Sequence, residues 1–196
     1  ITEFNIFSKN DIIILYLINY LNTRRIYMKL KSITYGAISI VIIIISFHIF
    51  RGTINIFNSI IIPLALYVYF NLFNLNESIS FAITLLIIIL IFFIQQLVFI
   101  ILYILISLLL LALSKYRFNK YLKTTFLSFG LALGFYLSIY FTDNFIGTNI
   151  LNSLLTIVNN NYFSLFLLFL IEGFFIGVIL VYLTNLLDNR LYFLKQ

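Results

Sequence analysis

From Ser80 to Ser114 the chain carries no charged side chain, and the length of that run is awkward for a membrane helix. As one helix at 1.5 Å per residue it would extend roughly 50 Å, well past a hydrocarbon core about 30 Å thick. Cut in two, it gives helices of about 17 residues each, the short end of what can span. A soluble fold is excluded by composition. The 196 residues are 63% hydrophobic and only 9% charged, with a mean hydropathy of +1.14, whereas about a quarter of the residues of a soluble domain are charged. The chain belongs in a lipid bilayer, and topology must resolve the long run.

The basic residues supply that topology. Lys115, Arg117, Lys120 and Lys123 form one island between apolar runs, and Arg24, Arg25, Lys29 and Lys31 form a second cluster near the start. Short cytoplasmic loops collect Lys and Arg, so both clusters are assigned to the cytoplasm and an even number of spans must separate them. Splitting the long run at Gln95–Gln96 satisfies this. The reading is an all-α, polytopic helical bundle with spans at about 33–50, 54–73, 80–95, 97–114, 124–142 and 162–187, both termini being cytoplasmic. Arg51 is then the one cation outside, and the inside loop around Asn71 to Ser78 lacks one. Tyr116, Tyr121, Tyr162 and Tyr192 fall at span ends, where aromatic side chains settle at the interface. The +6 formal charge is explained by headgroups and this positive-inside bias, and no nucleic-acid partner is expected.

Residues 1–27 differ from the rest. Their one apolar run, Ile12 to Leu21, is too short to cross, so the segment reads as an interfacial or non-native extension preceding a single domain at 28–196. Met28, followed by Lys29, Lys31 and a long apolar run, reads as a native start, and no small-residue cleavage site marks a removed signal. The heavy use of Ile, Asn, Lys, Phe and Tyr matches the bias of an AT-rich bacterial genome, placing the protein in a bacterial plasma membrane. Between Asp143 and Asn161, residues Ile150, Leu151, Leu154, Leu155 and Val158 recur at helical spacing. That stretch is either an amphipathic helix on the outer face or a loop lying on lipid.

Most chemistry is ruled out at once. With no cysteine and one histidine there is no disulfide, thiol nucleophile or histidine-based metal cluster, and no cofactor is expected. Nucleophile elbows, phosphate loops and dinucleotide fingerprints are absent, and the scattered carboxylates form no acid–base pair, so no catalytic residue is assigned. Glu172 stands out instead. About ten residues into the final span, its carboxyl lies near mid-membrane, where an ionisable group either serves a ligand or is held neutral by a hydrogen bond to a neighbouring helix. Topology places His48, Arg51 and Asp143 toward the same outer side. These four are the candidate ligand-binding residues, although span-end charges also snorkel and His48 also suits an interfacial ring.

Two further patterns concern packing. Gly130-Leu-Ala-Leu-Gly134 and Gly173-Phe-Phe-Ile-Gly177 are GxxxG motifs, in which missing side chains let helix backbones approach, and they predict packing faces on the last two spans. Pro63, the only proline, lies inside the second span, where it removes one helical hydrogen bond.

Six short helices, the basic lead-in Lys29-Leu-Lys-Ser-Ile-Thr-Tyr-Gly-Ala37, and Glu172-Gly-Phe-Phe-Ile-Gly177 followed by Asp188-Asn-Arg-Leu191 together resemble the substrate-binding S components of energy-coupling factor transporters, and the YybS-like membrane proteins related to them. The resemblance covers about residues 28–191. It implies capture of a vitamin-like small molecule from outside, in a pocket closed by the loop after the first helix. It also implies a transmembrane coupling subunit and cytoplasmic ATPases as partners, docked through small residues of the first helix, here Ser32, Gly36, Ala37 and Ser39. The chain is similar as well to the cell-shape protein MreD, which implies a non-transporting scaffold whose glycine faces and Pro63 serve packing with partners.

Overall fold

The computed structural model describes residues 9–50, 55–116 and 118–194, with side chains between Lys29 and Leu191 of those ranges. Two compact units are present, one ending at Ile38 and the other beginning at Ser39. Helix α1 runs from Lys9 to Ile49. The backbone is therefore helical well before the first expected span, because neither glycine nor proline occurs between Lys9 and Tyr35 and its many Leu, Lys and Arg residues favour the helix. Within the first unit, the Lys31 ammonium lies 6.0 Å from the centre of the Tyr35 ring, and the Thr34 hydroxyl donates to the Leu30 carbonyl at 2.9 Å.

The second unit continues with α2 (Ile56–Leu72), α3 (Leu75–Phe92), a 3-10 turn (Ile94–Gln96), α4 (Leu97–Lys115), α5 (Lys120–Ile146), α6 (Ile150–Ile157) and α7 (Tyr162–Leu194). The described residues include no strand. Among the described residues, five helical stretches are long and apolar enough to cross a membrane: Lys29–Ile49, Leu75–Phe92, Ile94–Lys115, Lys120–Ile146 and Tyr162–Leu191. Helix α2 is apolar but has only 17 residues. This is a multi-pass helical membrane protein.

The long uncharged run does break beside Gln95–Gln96. Phe93 leaves the helical region with φ −142° and ψ 52°, its N–H still bonded to the Ile89 carbonyl at 2.7 Å, and the Gln96 N–H turns back to the Phe93 carbonyl at 2.8 Å. Those bonds satisfy amide donors that a break inside lipid would otherwise strand.

Between α2 and α4, polar side chains recur at one helical turn. The Ser59 and Tyr103 hydroxyls meet at 3.3 Å. One turn on, the Ser107 hydroxyl lies 3.1 Å from the Pro63 carbonyl and 2.6 Å from that of Tyr103. Further along, the Tyr67 hydroxyl reaches Ser114 Oγ at 3.2 Å. In lipid, where apolar contact alone does not drive helices together, such bonds and close packing decide which helices pair. Pro63 is buried within α2, which continues through it.

Helices α5 and α7 pair by close approach. A Cβ added to Gly173 would stand 2.7 Å from the Ser128 carbonyl oxygen and 3.3 Å from the Leu131 Cβ, and one on Gly177 would lie 3.2 Å from Ser128 Oγ. The α5 glycines face elsewhere: Gly130 approaches Leu109 and Ile106, and Gly134 approaches Leu102, all on α4. Each motif marks a packing face, but the partner of the α7 motif is the small pair Ser128 and Ala132, and α5 is wedged between α4 and α7.

Candidate functional site

Helix reversals give the second unit two ends. At one lie the ends of α1 and α5, the starts of α2, α4 and α7, and the short helix α6; at the other lie Lys115 and Lys120. A cavity lies toward each end.

The α6 end is built by side-chain caps. Asn58, 1% exposed, accepts from the Ser46 hydroxyl at 2.6 Å and donates its amide to the Phe50 carbonyl at 3.0 Å, pinning the end of α1 to the start of α2. Asn55 accepts from the Phe57 N–H at 2.9 Å and so caps α2. Gly147 closes α5 with φ +76°, a left-handed turn that a residue without Cβ adopts freely. Asp143 then bridges to α6: one oxygen accepts from the Thr148 hydroxyl and from the Ile150 N–H at 3.0 Å, the other from the Leu151 N–H at 2.7 Å. A carboxylate at a helix N-terminus is favoured by the exposed amides and the helix dipole alike. Asn159 and Asn160, at φ 54° and 58°, turn the chain after α6, and Asn161 caps α7 through the Phe163 N–H at 3.0 Å. The stretch after Asp143 is thus a short helix set between two tight turns.

Glu172 lies nearly three turns into α7, beside Gly173, so the α5–α7 contact also sets its direction. It is half-buried and makes no hydrogen bond or ion pair among the described residues. Its side chain lines a groove of about 510 Å³ with Ser164, Leu168, Ile171, Phe175 and, from α2, Ile56. Such a groove is chemically simple, with apolar walls, one hydroxyl at Ser164 and one carboxyl that can donate when neutral or accept when ionised. It is suited to holding a mostly apolar molecule by one polar point.

His48 and Asp143 do not line the groove beside Glu172. Asp143 has both oxygens engaged in the α5–α6 turn, His48 is exposed on α1, and Arg51 lies outside the described residues. Of the small residues of α1, Ser32, Gly36 and Ser39 are buried and share one face, whereas Ala37 is exposed.

At the opposite end, residues that sequence reasoning did not single out as a site assemble a polar cleft. Tyr67, Phe70 and Asn71 of α2, Leu111, Ser114 and Lys115 of α4, and Asp188 of α7 line about 450 Å³. The Tyr67 hydroxyl donates to Asp188 Oδ1. Asn71 donates to the same oxygen at 3.2 Å and stands 3.4 Å from the Tyr67 hydroxyl. The available signal was the spacing of Tyr67 and Asn71, four apart on one helix face, together with a carboxylate near the end of the last apolar run. No group of three or more His, Asp or Glu side chains that could hold a metal ion occurs among the described residues.

No protein-family model, no curated protein and no solved structure matches this chain.

Proposed function

We propose that this protein is the membrane-embedded, substrate-binding subunit of a small-molecule uptake system of the energy-coupling factor type, in a bacterial plasma membrane. The observation that carries the reading is Glu172: a carboxyl with no hydrogen-bonding partner among the described residues, deep in a spanning helix, opening into an apolar groove. Ionisable groups at that depth are costly and are retained where they meet a ligand or line its path. The position of the groove agrees with a pocket under the loop after the first span, since Ile56 opens the helix that follows that loop. Six spans, with α2 as the short one, and both termini in the cytoplasm complete the proposed topology. Energy would come from a coupling subunit and ATPases, because the chain carries no nucleotide-binding motif.

A scaffold of MreD type is the rival reading. It is favoured by the construction of the groove, whose walls come from α7 except for Ile56 and which would also seat an apolar helix of a partner. Affinity purification in mild detergent, with mass spectrometry of proteins and small molecules, separates the two. Co-purifying ATPases or a bound small molecule, lost in Glu172→Gln, is the expected result. Wall-synthesis or cytoskeletal partners without a ligand would overturn the transport reading.

A further inference from the structure

The polar cleft between α2, α4 and α7 lies where two apolar stretches end, which is the depth of lipid headgroups in the proposed topology. Lys115 is the last residue of the apolar stretch Ile94–Lys115, and Asp188 lies near the end of Tyr162–Leu191. The two charges line one cavity without pairing with each other among the described residues. Asp188 Oδ1 is saturated by Tyr67 and Asn71, whereas no hydrogen bond among the described residues reaches Oδ2. An oriented anion and a separate cation thus face the same space, with Phe70 and Leu111 as apolar walls.

A zwitterion whose charges are spaced along a short chain satisfies both at once. We propose that this cleft binds one phospholipid with a primary-amine headgroup, a phosphatidylethanolamine. Its phosphate meets Lys115, its ammonium donates to Asp188 Oδ2, and its acyl chains leave along the apolar outer surfaces of the helices. The amine must carry N–H groups. A carboxylate held by two donors on one oxygen offers a directional acceptor on the other, which a primary ammonium uses and a quaternary one does not. A phosphatidylglycerol headgroup brings no cation, so it leaves Asp188 unpaired at the cost of bringing an anion beside it. The lipid is the source, in preference to a soluble amine phosphate, because the cleft lies where headgroups already reside at high local concentration.

The test uses the full chain in nanodiscs of phosphatidylcholine alone, with added phosphatidylethanolamine, or with added phosphatidylglycerol. Native mass spectrometry after release counts retained lipids, and thermal unfolding reports stabilisation. One phosphatidylethanolamine retained per chain and a midpoint raised by several degrees over the other two compositions are expected. Asp188→Asn, which keeps an acceptor for Tyr67 and Asn71, should lower the preference for phosphatidylethanolamine over phosphatidylcholine by about tenfold. Lys115→Met, at an exposed residue, should lower retention of every phospholipid in the cleft. Equal retention of the three lipids by the wild type, or a Lys115→Met variant that keeps phosphatidylethanolamine as tightly as the wild type, sinks the proposal. Stabilisation by free phosphoethanolamine in phosphatidylcholine discs equal to that by the lipid overturns it too, making the cleft a site for a soluble ligand. Neither result bears on Glu172, whose ligand is scored at the other end of the bundle.

Discussion

The Tyr67 hydroxyl donates to Asp188, joining α2 to α7 across most of the length of the chain, with Asn71 and Ser114 in support. Because the acceptor is a carboxylate, this bond stands above a neutral one in strength. Tyr67→Phe removes the donor and keeps the ring, and it is expected to destabilise the folded protein by about 1–2 kcal/mol. Asp188→Asn, which retains an acceptor, should cost less. Reversible unfolding in mixed micelles measures both, and a Tyr67→Phe variant as stable as the wild type would show the bond to be dispensable.

Glycine substitutions should rank against simple distance. A Cβ at Gly134 meets Leu102 Cδ1 at 2.1 Å, closer than the 2.7 Å between a Cβ at Gly173 and the Ser128 carbonyl oxygen. Yet a leucine tip can rotate away, while a backbone carbonyl moves only with its helix. Gly173→Ala should therefore cost about 1–3 kcal/mol by forcing α5 and α7 apart, and Gly134→Ala less. Gly130→Ala, with 3.5 Å to Leu109, should be close to neutral. The opposite order in thermal unfolding would refute the packing account.

Asn58 is almost wholly buried and serves two partners, Ser46 and the Phe50 carbonyl. Asn58→Ala leaves both short of a bond, with an expected loss of about 2 kcal/mol. Ser46→Ala removes one bond only and should lose less. The end of α1 should also become accessible to proteases in Asn58→Ala before the bundle unfolds.

Asp143 holds α6 through two amides and a hydroxyl. Asp143→Ala is expected to cost about 1 kcal/mol, as the loss of a helix cap generally does. The effect should be local. Amide exchange across Ile150–Ile157 should quicken while exchange in α4 is unchanged; uniform acceleration would mean that Asp143 supports the whole bundle.

Glu172→Gln should separate binding from stability. The carboxyl has no bonded neighbour among the described residues, so the unfolding free energy should stay within about 0.5 kcal/mol of the wild type. Ligand retention should fall about tenfold or more. A variant that unfolds early would instead make Glu172 a structural residue.

Where the sequence was legible, a local rule decided. The two glutamines and the positive-inside bias located the break in the uncharged run, which the structure places at Phe93 to Gln96. Helical spacing from Ile150 offered a helix as one of two readings, and α6 takes it. What could not be read was partnership. Gly130 and Gly134 advertise a close approach, but nothing in the linear pattern says that α4 fills it, and Ser128 with Ala132 looks unremarkable until Gly173 lies against it. The Asp188 cleft escaped for the same reason, since its side chains come from three helices. Asp143 shows the same limit, since a carboxylate near a span end reads alike whether it meets a ligand or the amides of the next helix.

The polar ladder on α2 also governs the order in which the protein can be made. Ser59, Pro63 and Tyr67 wait for Tyr103, Ser107 and Ser114, which the ribosome has yet to synthesise when α2 emerges, and Tyr67 and Asn71 wait longer still for Asp188. Until then those groups have only local bonds, such as that from the Ser59 hydroxyl to the Asn55 carbonyl at 3.1 Å, and none of their bonds to α4 and α7. The nascent segment should linger at the membrane surface or beside the insertion machinery, and become a settled transmembrane element only when α7 arrives to complete it.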